Sequence, residues 1–283
     1  MAIALTGSSM QKNRLGKKYN LSVCAIFKNE SNFLREWIEY HCLVGVDHFY
    51  LYSNNTTDRS VDILRPYIRK GLVTLVYWPD VLKDYEMKEY SFLWPLACQV
   101  PAYENAAKFR AIHETKWLAC LDIDEFLVPS DATHLMEILQ KYEEHPAVIL
   151  SSEFFDSSKI ETPRRELVIE SLELTDSPQE NPEKRIVKMI VKPEMTEGFT
   201  WPPYRCLFKE GEPACINKSE LRINHYVNRG TIFREHKPIM QIDNRYLSES
   251  ELRDFLSAGY EIEDQERTIY RFLPSLRKKM GIK

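Results

Sequence analysis

Residues 121–129, LDIDEFLVP, gather Asp122, Asp124 and Glu125 where an otherwise apolar run ends. Carboxylates at this spacing, placed at the mouth of a sheet, can share a hard cation with phosphate oxygens. The plain alternative is a strand that ends in an acidic turn. What precedes the motif favours the cation, because the chain around it reads as a sheet that opens a crevice at this edge.

That reading starts with LSVCAIF (21–27), an apolar run of strand length, as expected when helices cover both sheet faces. From Asn32 to Val44, Leu34, Trp37, Ile38 and His41 fall at helical spacing, with Ser31 as N-cap and Gly45 closing the helix. HFYLYS (48–53) is a second strand and NNTTD a polar turn. A second helical pattern through Val61, Leu64 and Ile68 ends at Gly71, and LVTLVYW (72–78) is a third strand. Strand, helix, strand, helix, strand predicts right-handed crossovers and a parallel sheet, with ligands beyond the strand carboxyl ends.

An irregular stretch from Pro79 to Ala97 carries Tyr85, Tyr90, Phe92 and Trp94, a lid or a packing segment. Pro101 suits the first turn of a helix reaching about Glu114. WLACLDI (117–123) is a buried strand that delivers the three carboxylates, and Ser130 is a cap for a helix through Leu135, Ile138 and Leu139. Beyond His145 the runs AVILSSEFF, ELVIESLEL and RIVKMIVK read as strands that extend the sheet, LRINHYV (221–227) as another, and Ser248 with Glu251 as a capping box.

Composition narrows the class. The 283 residues, 43% hydrophobic and 28% charged, describe a globular chain with a packed core. A net charge of −4 argues against binding nucleic acid by bulk electrostatics. No apolar run is long enough to span a bilayer and no secretory leader is recognisable, so the expected location is cytoplasmic. The six cysteines form no CxxC pair and read as free thiols.

The blocks AIFKNESNFLREWIEYHCLVGVDHFYLYSNNTTD (25–58), RPYIRKGLVTLVYWP (65–79), WLACLDIDEFLVP (117–129) and RINHY (222–226) resemble glycosyltransferase family 92 and, more broadly, nucleotide-sugar transferases of the GT-A fold. The resemblance implies an α/β fold with a mixed, mostly parallel sheet flanked by helices, an acceptor-side extension and terminal helices. The resemblance covers residues 20–235, and with the Gly-, Ser- and Lys-rich start the chain is expected to divide into a leader (1–18), a transferase domain (19–240) and a helical extension (241–283). The resemblance also implies a nucleoside-diphosphate sugar, with uridine the expected base, as donor and a glycan or glycolipid hydroxyl as acceptor, with inversion at the anomeric carbon.

By the same resemblance Lys28, Asn29, Glu30, Asn55 and Asp58 line the base and ribose pocket, and Gln99 and Tyr103 stand near the nucleotide. Asp122 faces ribose and metal, Asp124 the metal, and His225 completes the shell around Mn2+ or Mg2+. Each has an ordinary structural alternative: Asn and Asp suit turns, and a half-buried His is commonly structural. Lys188, on one strand face with Ile190 and Lys192, is placed to meet the leaving diphosphate; lysines on a solvated edge strand are the alternative.

EFFDSS (153–158) departs from the family's glycine- and serine-rich motif, and its Glu153 and Asp156 are the candidates for a general base. Two rival functions fit the same residues. One is a magnesium-dependent phosphoester hydrolase using Asp122, Asp124 and Glu125, and the other a sugar-nucleotide-binding protein without turnover. The last segment, TIYRFLPSLRKKMGIK (268–283), is basic and amphipathic, and is either a helix packed on the domain or a peripheral membrane contact.

Overall fold

The computed structural model describes residues 16–79, 98–156, 167–171, 173–174, 187–200, 205–227 and 268–282. Residues 1–15 of the leader, the aromatics from Tyr85 to Trp94, Ser157 and Ser158, and the Ser248 and Glu251 pattern lie outside the described residues.

The first half follows the expected order: β1 (Tyr19–Phe27), α1 (Leu34–Leu43), β2 (His48–Ser53), α2 (Ser60–Arg69) and β3 (Val73–Tyr77). β1 pairs with β2, and β2 with β3, in parallel register. Its two faces enter different cores, which is why the run is apolar throughout: Leu21, Val23 and Ala25 pack with Trp37 and Ile38, while Cys24 and Ile26 pack with Tyr103 and Ala107. α3 (Val100–Asn105), with Pro101 in its first turn, continues as a π-helical turn, Ala106–Ala111. It leads into β4 (Thr115–Cys120), parallel to β1 on the side away from β2.

The acidic turn at residues 121–124 joins β4 to β5 (Glu125–Pro129). The remaining elements are α4 (Leu135–Leu139), β6 (Ala147–Asp156), α5 (Val168–Ser171), β7 (Glu173–Leu174), β8 (Val187–Val191), β9 (Thr196–Thr200), β10 (Arg205–Phe208), β11 (Ala214–Cys215), β12 (Leu221–Val227) and α6 (Leu273–Met280). The main sheet runs β3-β2-β1-β4-β8-β6-β12-β5. β8 is antiparallel to both β4 and β6, and β12 is parallel to β6 and antiparallel to β5. The mixed, mostly parallel sheet is the expected fold class.

Several local expectations are corrected. α1 begins at Leu34, and its N-cap position, Phe33, makes no side-chain capping bond; the Ser31 amide is held by Asp58 instead. α4 is opened by the His134 and Glu137 capping box, not by Ser130, whose N–H bonds to the Glu220 carbonyl. ELVIESLEL is not one strand: the buried Glu36 carboxylate of α1 accepts the Val168 and Ile169 N–H groups at 2.9 and 3.1 Å, and donors gathered in this way start a helix. β8 is an interior strand rather than a solvated edge, so Lys188 is buried.

The C-terminal segment packs on the domain. Ile269 and Leu276 join the core, and the Phe272 ring meets Tyr40 edge-on at 5.6 Å. Arg277 pairs with Glu170, Lys279 with Glu39, and Arg271 donates to the carbonyls of Pro129, Ser130 and Ala132. The apolar side of the segment is thus packed inside the protein. Among the described residues no helix is long and apolar enough to cross a membrane, and all six cysteines are free.

Candidate active site

The carboxyl ends of β1 and β2 lie side by side, Phe27 against Ser53, and the turns that follow are tied into one unit. Asn29 and Asn55 both adopt positive φ, 57° and 48°, a region Asn tolerates better than most residues. Asn29 Oδ1 accepts the N–H groups of Thr57 at 2.8 Å and Asp58 at 3.2 Å. Asp58 in return accepts the N–H of Ser31, and that of Ser60, each at 2.9 Å, and Ser60 Oγ accepts the Glu30 N–H. Burial pushes the Asp58 carboxyl up, but the bonds from Ser60 and Ser31 outweigh it and leave it below its ordinary pKa. Lys28 is exposed at the rim, and Glu30 and Asn55 are half-buried.

The acidic turn is built around Glu125, which is fully buried. Its Oε2 accepts the Asp122 N–H at 2.8 Å and lies 3.1 Å from the Lys188 ammonium, which also reaches Asp122 Oδ2 at 3.3 Å. Its Oε1 faces His225 Nδ1 at 3.8 Å, and His225 Nε2 stands 3.4 Å from Asp124 Oδ2. On the other side Gln99 donates its amide N–H groups to Asp122 Oδ1 at 2.7 Å and to the Tyr103 hydroxyl at 2.9 Å. Burial pushes the Glu125 carboxyl above its usual range, with Lys188 pulling against it. Burial also holds the Tyr103 phenol well above its ordinary value, so it stays neutral.

The fold therefore brings together Gln99, Tyr103, Asp122, Asp124, Lys188 and His225, six of the expected site residues. Asp124 and His225 offer the carboxylate oxygen and imidazole nitrogen that manganese takes, while Asp122 is engaged by Gln99 and Lys188. Among the described residues no group of three or more His, Cys, Asp and Glu side chains converges on a metal position. Two protein donors still fit a hard divalent ion, because such ions keep waters and phosphate oxygens in the rest of their shell. Lys188 does not stand open toward a diphosphate: it is a buried ammonium balancing Asp122 and Glu125.

Glu153 is placed elsewhere. Register sets Asn224 beside Glu153 and His225 beside Phe154, whose ring lies 5.2 Å from the imidazole, while Phe155 stacks on Tyr226. Strand side chains alternate, so Glu153 shares the face of Asn224 and Tyr226, opposite His225. Its carboxylate is 3.4 Å from Lys218. Asp156 ends β6, in register with Val227 and Glu173.

Sequence reasoning gave Glu125 a part only as a hydrolase ligand, and the structure buries it between Lys188 and His225. Its actual place depends on β8 and β12, far along the chain, and the only local signal was a fourth residue of DIDE within an apolar strand.

A mixed sheet carries an acidic turn and a facing histidine at its carboxyl edge, and a family model assigns the class of the chain. The family model described as Glycosyltransferase family 92 matches residues 17–247, and the chain belongs to that family. A glycosyltransferase family 92 protein of Oryza sativa subsp. japonica is 29% identical over 134 residues, 47% of this chain and 20% of that protein. One of Ricinus communis is 32% identical over 118 residues, 42% of this chain and 18% of that protein. The chain thus spans about a fifth of the length of these curated relatives. Among solved structures it is similar to S. aureus TarS 1-349 in complex with UDP-GlcNAc, with 11% identity and a TM-score of 0.40 over 92% of this chain and 73% of that one.

Proposed function

We propose that this glycosyltransferase moves a hexose from a uridine-diphosphate sugar to a hydroxyl of a glycan or glycolipid, with metal assistance and inversion at the anomeric carbon. The observation that carries the reading is the Asp124 and His225 pair, 3.4 Å apart and flanked by Asp122, at the carboxyl edge beside the β1 and β2 turns. The linked turns, with Lys28, Asn29, Glu30, Asn55 and Asp58, form the wall for base and ribose. Gln99 fixes the Asp122 carboxylate toward ribose. Asp124 and His225 would hold Mn2+ or Mg2+, which when bound neutralises the diphosphate leaving group, a contribution of several kcal/mol to such transition states. The Lys188 ammonium ties the Asp122 carboxylate to the buried Glu125 carboxylate, and Glu125 faces His225. Of the two expected carboxylates, Asp156, the last residue of β6, is proposed to take the acceptor proton.

Calorimetric titration with UDP, GDP and CDP, with and without manganese, tests the reading. UDP should bind most tightly and manganese should strengthen it; binding of none of the three would remove the transferase reading.

A further inference from the structure

The outer edge of β5, the last strand of the sheet path, is completed by side chains. The Glu125 carbonyl accepts the Trp37 indole N–H at 2.8 Å. Leu127 donates its N–H to His41 Nε2 at 3.4 Å and accepts the Tyr40 hydroxyl at 3.0 Å. Arg271 covers the Pro129 carbonyl. Three of these four side chains, at positions 37, 40 and 41, come from one face of α1, where residues three and four apart line up. A strand edge left without such partners would carry unsatisfied buried backbone groups.

The bond from Trp37 differs from the others in what it holds. Glu125 is the residue whose carboxylate gathers the Asp122 amide, Lys188 and His225, and its own peptide is anchored by the indole. The indole is itself immobile: it is fully buried and packed between His41 and Phe49, with ring centroids at 4.6 and 5.5 Å. We infer that Trp37 is a positioning residue for the acidic turn, fixing the Glu125 peptide and through it the direction in which the carboxylate meets Asp122, Lys188 and His225. Its consequence for catalysis rests on the transferase reading above; its consequence for the turn does not.

The test compares Trp37→Phe with Tyr40→Phe, since each removes one donor to a β5 carbonyl and keeps an aromatic ring. Replacement of Trp37 by benzothienylalanine, which has the indole's shape without its N–H, separates the lost bond from the lost volume. Hydrogen exchange is read at the Asp122, Glu125 and Tyr226 amides, which bond to Glu125 Oε2, the Asp122 carbonyl and the Asp124 carbonyl. UDP affinity with manganese is read by calorimetry.

Both Trp37 variants should speed exchange at these three amides by about tenfold and weaken UDP binding by about tenfold, the worth of a lost buried hydrogen bond. Tyr40→Phe should leave both readouts within about twofold at comparable loss of thermal stability. Equal exchange at the turn in Trp37→Phe and Tyr40→Phe, or parental exchange in the isostere, would overturn the inference. So would faster exchange with unchanged UDP affinity in a protein whose parent binds UDP. A parent that binds no UDP would sink the transferase reading, and the exchange comparison would still decide the place of Trp37.

Discussion

Asn29 and Asp58 each hold the turn to which the other belongs: Asn29 Oδ1 takes the Asp58 N–H at 3.2 Å, and Asp58 Oδ2 takes the Ser31 N–H at 2.9 Å. Oxygens expected to face the nucleotide are thus engaged in tying the two turns together. Asp58→Ala and Asn29→Ala should each cost about 1–2 kcal/mol, the range for losing a cap, and weaken UDP binding together with stability. Because Asp58 is held below its ordinary pKa, its contribution is present at neutral pH and is lost as pH falls through the folded value. Urea titrations of parent and Asp58→Ala from pH 7 downward check this; a penalty that stays constant over the whole acid range would remove the carboxylate from the explanation.

The Asp124 and His225 pair should govern metal dependence. Asp124→Asn and Asp122→Asn should each keep the circular dichroism of the parent and lower transfer by about a hundredfold or more, since lost leaving-group stabilisation amounts to several kcal/mol. His225→Ala should raise the manganese concentration needed for half-maximal binding while leaving the preference for uridine intact. An unchanged manganese titration would take His225 out of the shell.

Much of this was legible in the sequence wherever the signal was local. The apolar run at 21–27 is a strand because both its faces are covered, and the Asp122 and Asp124 pair marks the turn that ends β4. What was not legible depended on distant partners. Nothing within RIVKMIVK tells that β8 lies between β4 and β6, so Lys188 could be read as solvated. ELVIESLEL has strand composition, yet Glu36, more than 130 positions earlier, supplies acceptors for the start of a helix. Glu153 is a base candidate because EFFDSS departs from the family's motif; its place opposite His225 depends on the pairing of β6 with β12, which no local signal gives.

Lys188 should be a stability residue as well as a site residue. At 1% exposure it is the ammonium that lies between the Asp122 and Glu125 carboxylates. Lys188→Met leaves a buried carboxylate without its counter-ion, a loss of about 3–5 kcal/mol. Adding Glu125→Gln should recover part of that loss, because an amide costs less to bury than a carboxylate. A double variant no more stable than Lys188→Met alone would show that packing, not charge balance, is what Lys188 supplies.

Two buried histidines set the acid limit. Burial lowers His41 to about 3, against the opposing bond to the Trp37 carbonyl, and lowers His48 to about 4, both from an ordinary 6.5. Below pH 6.5 the unfolded chain therefore binds protons that the folded chain refuses, so stability is full above that pH and falls toward the folded values. The slope is about 1.4 kcal/mol per pH unit for each histidine. His41→Gln should be less stable at pH 7, through the lost contact with Leu127, but its stability should fall less steeply between pH 6.5 and 5. Parallel slopes in parent and variant would show that His41 is protonated in the fold.

The catalytic base is the assignment that strand geometry separates most sharply. Glu153 faces away from His225 and pairs with Lys218, so Glu153→Gln should leave transfer within a few-fold of the parent and cost about 1 kcal/mol or less, as a partly exposed ion pair does. Asp156, the last residue of β6, stands at the edge that carries the acidic turn. Asp156→Asn should reduce transfer by about a hundredfold or more, the lower range of general-base contributions, while UDP affinity stays unchanged. The configuration of the product, followed by NMR of the anomeric proton, bears on the same point, since inversion needs a base facing the anomeric carbon. Transfer retained in both amides would move the base to another residue, and a product of retained configuration would remove the need for one.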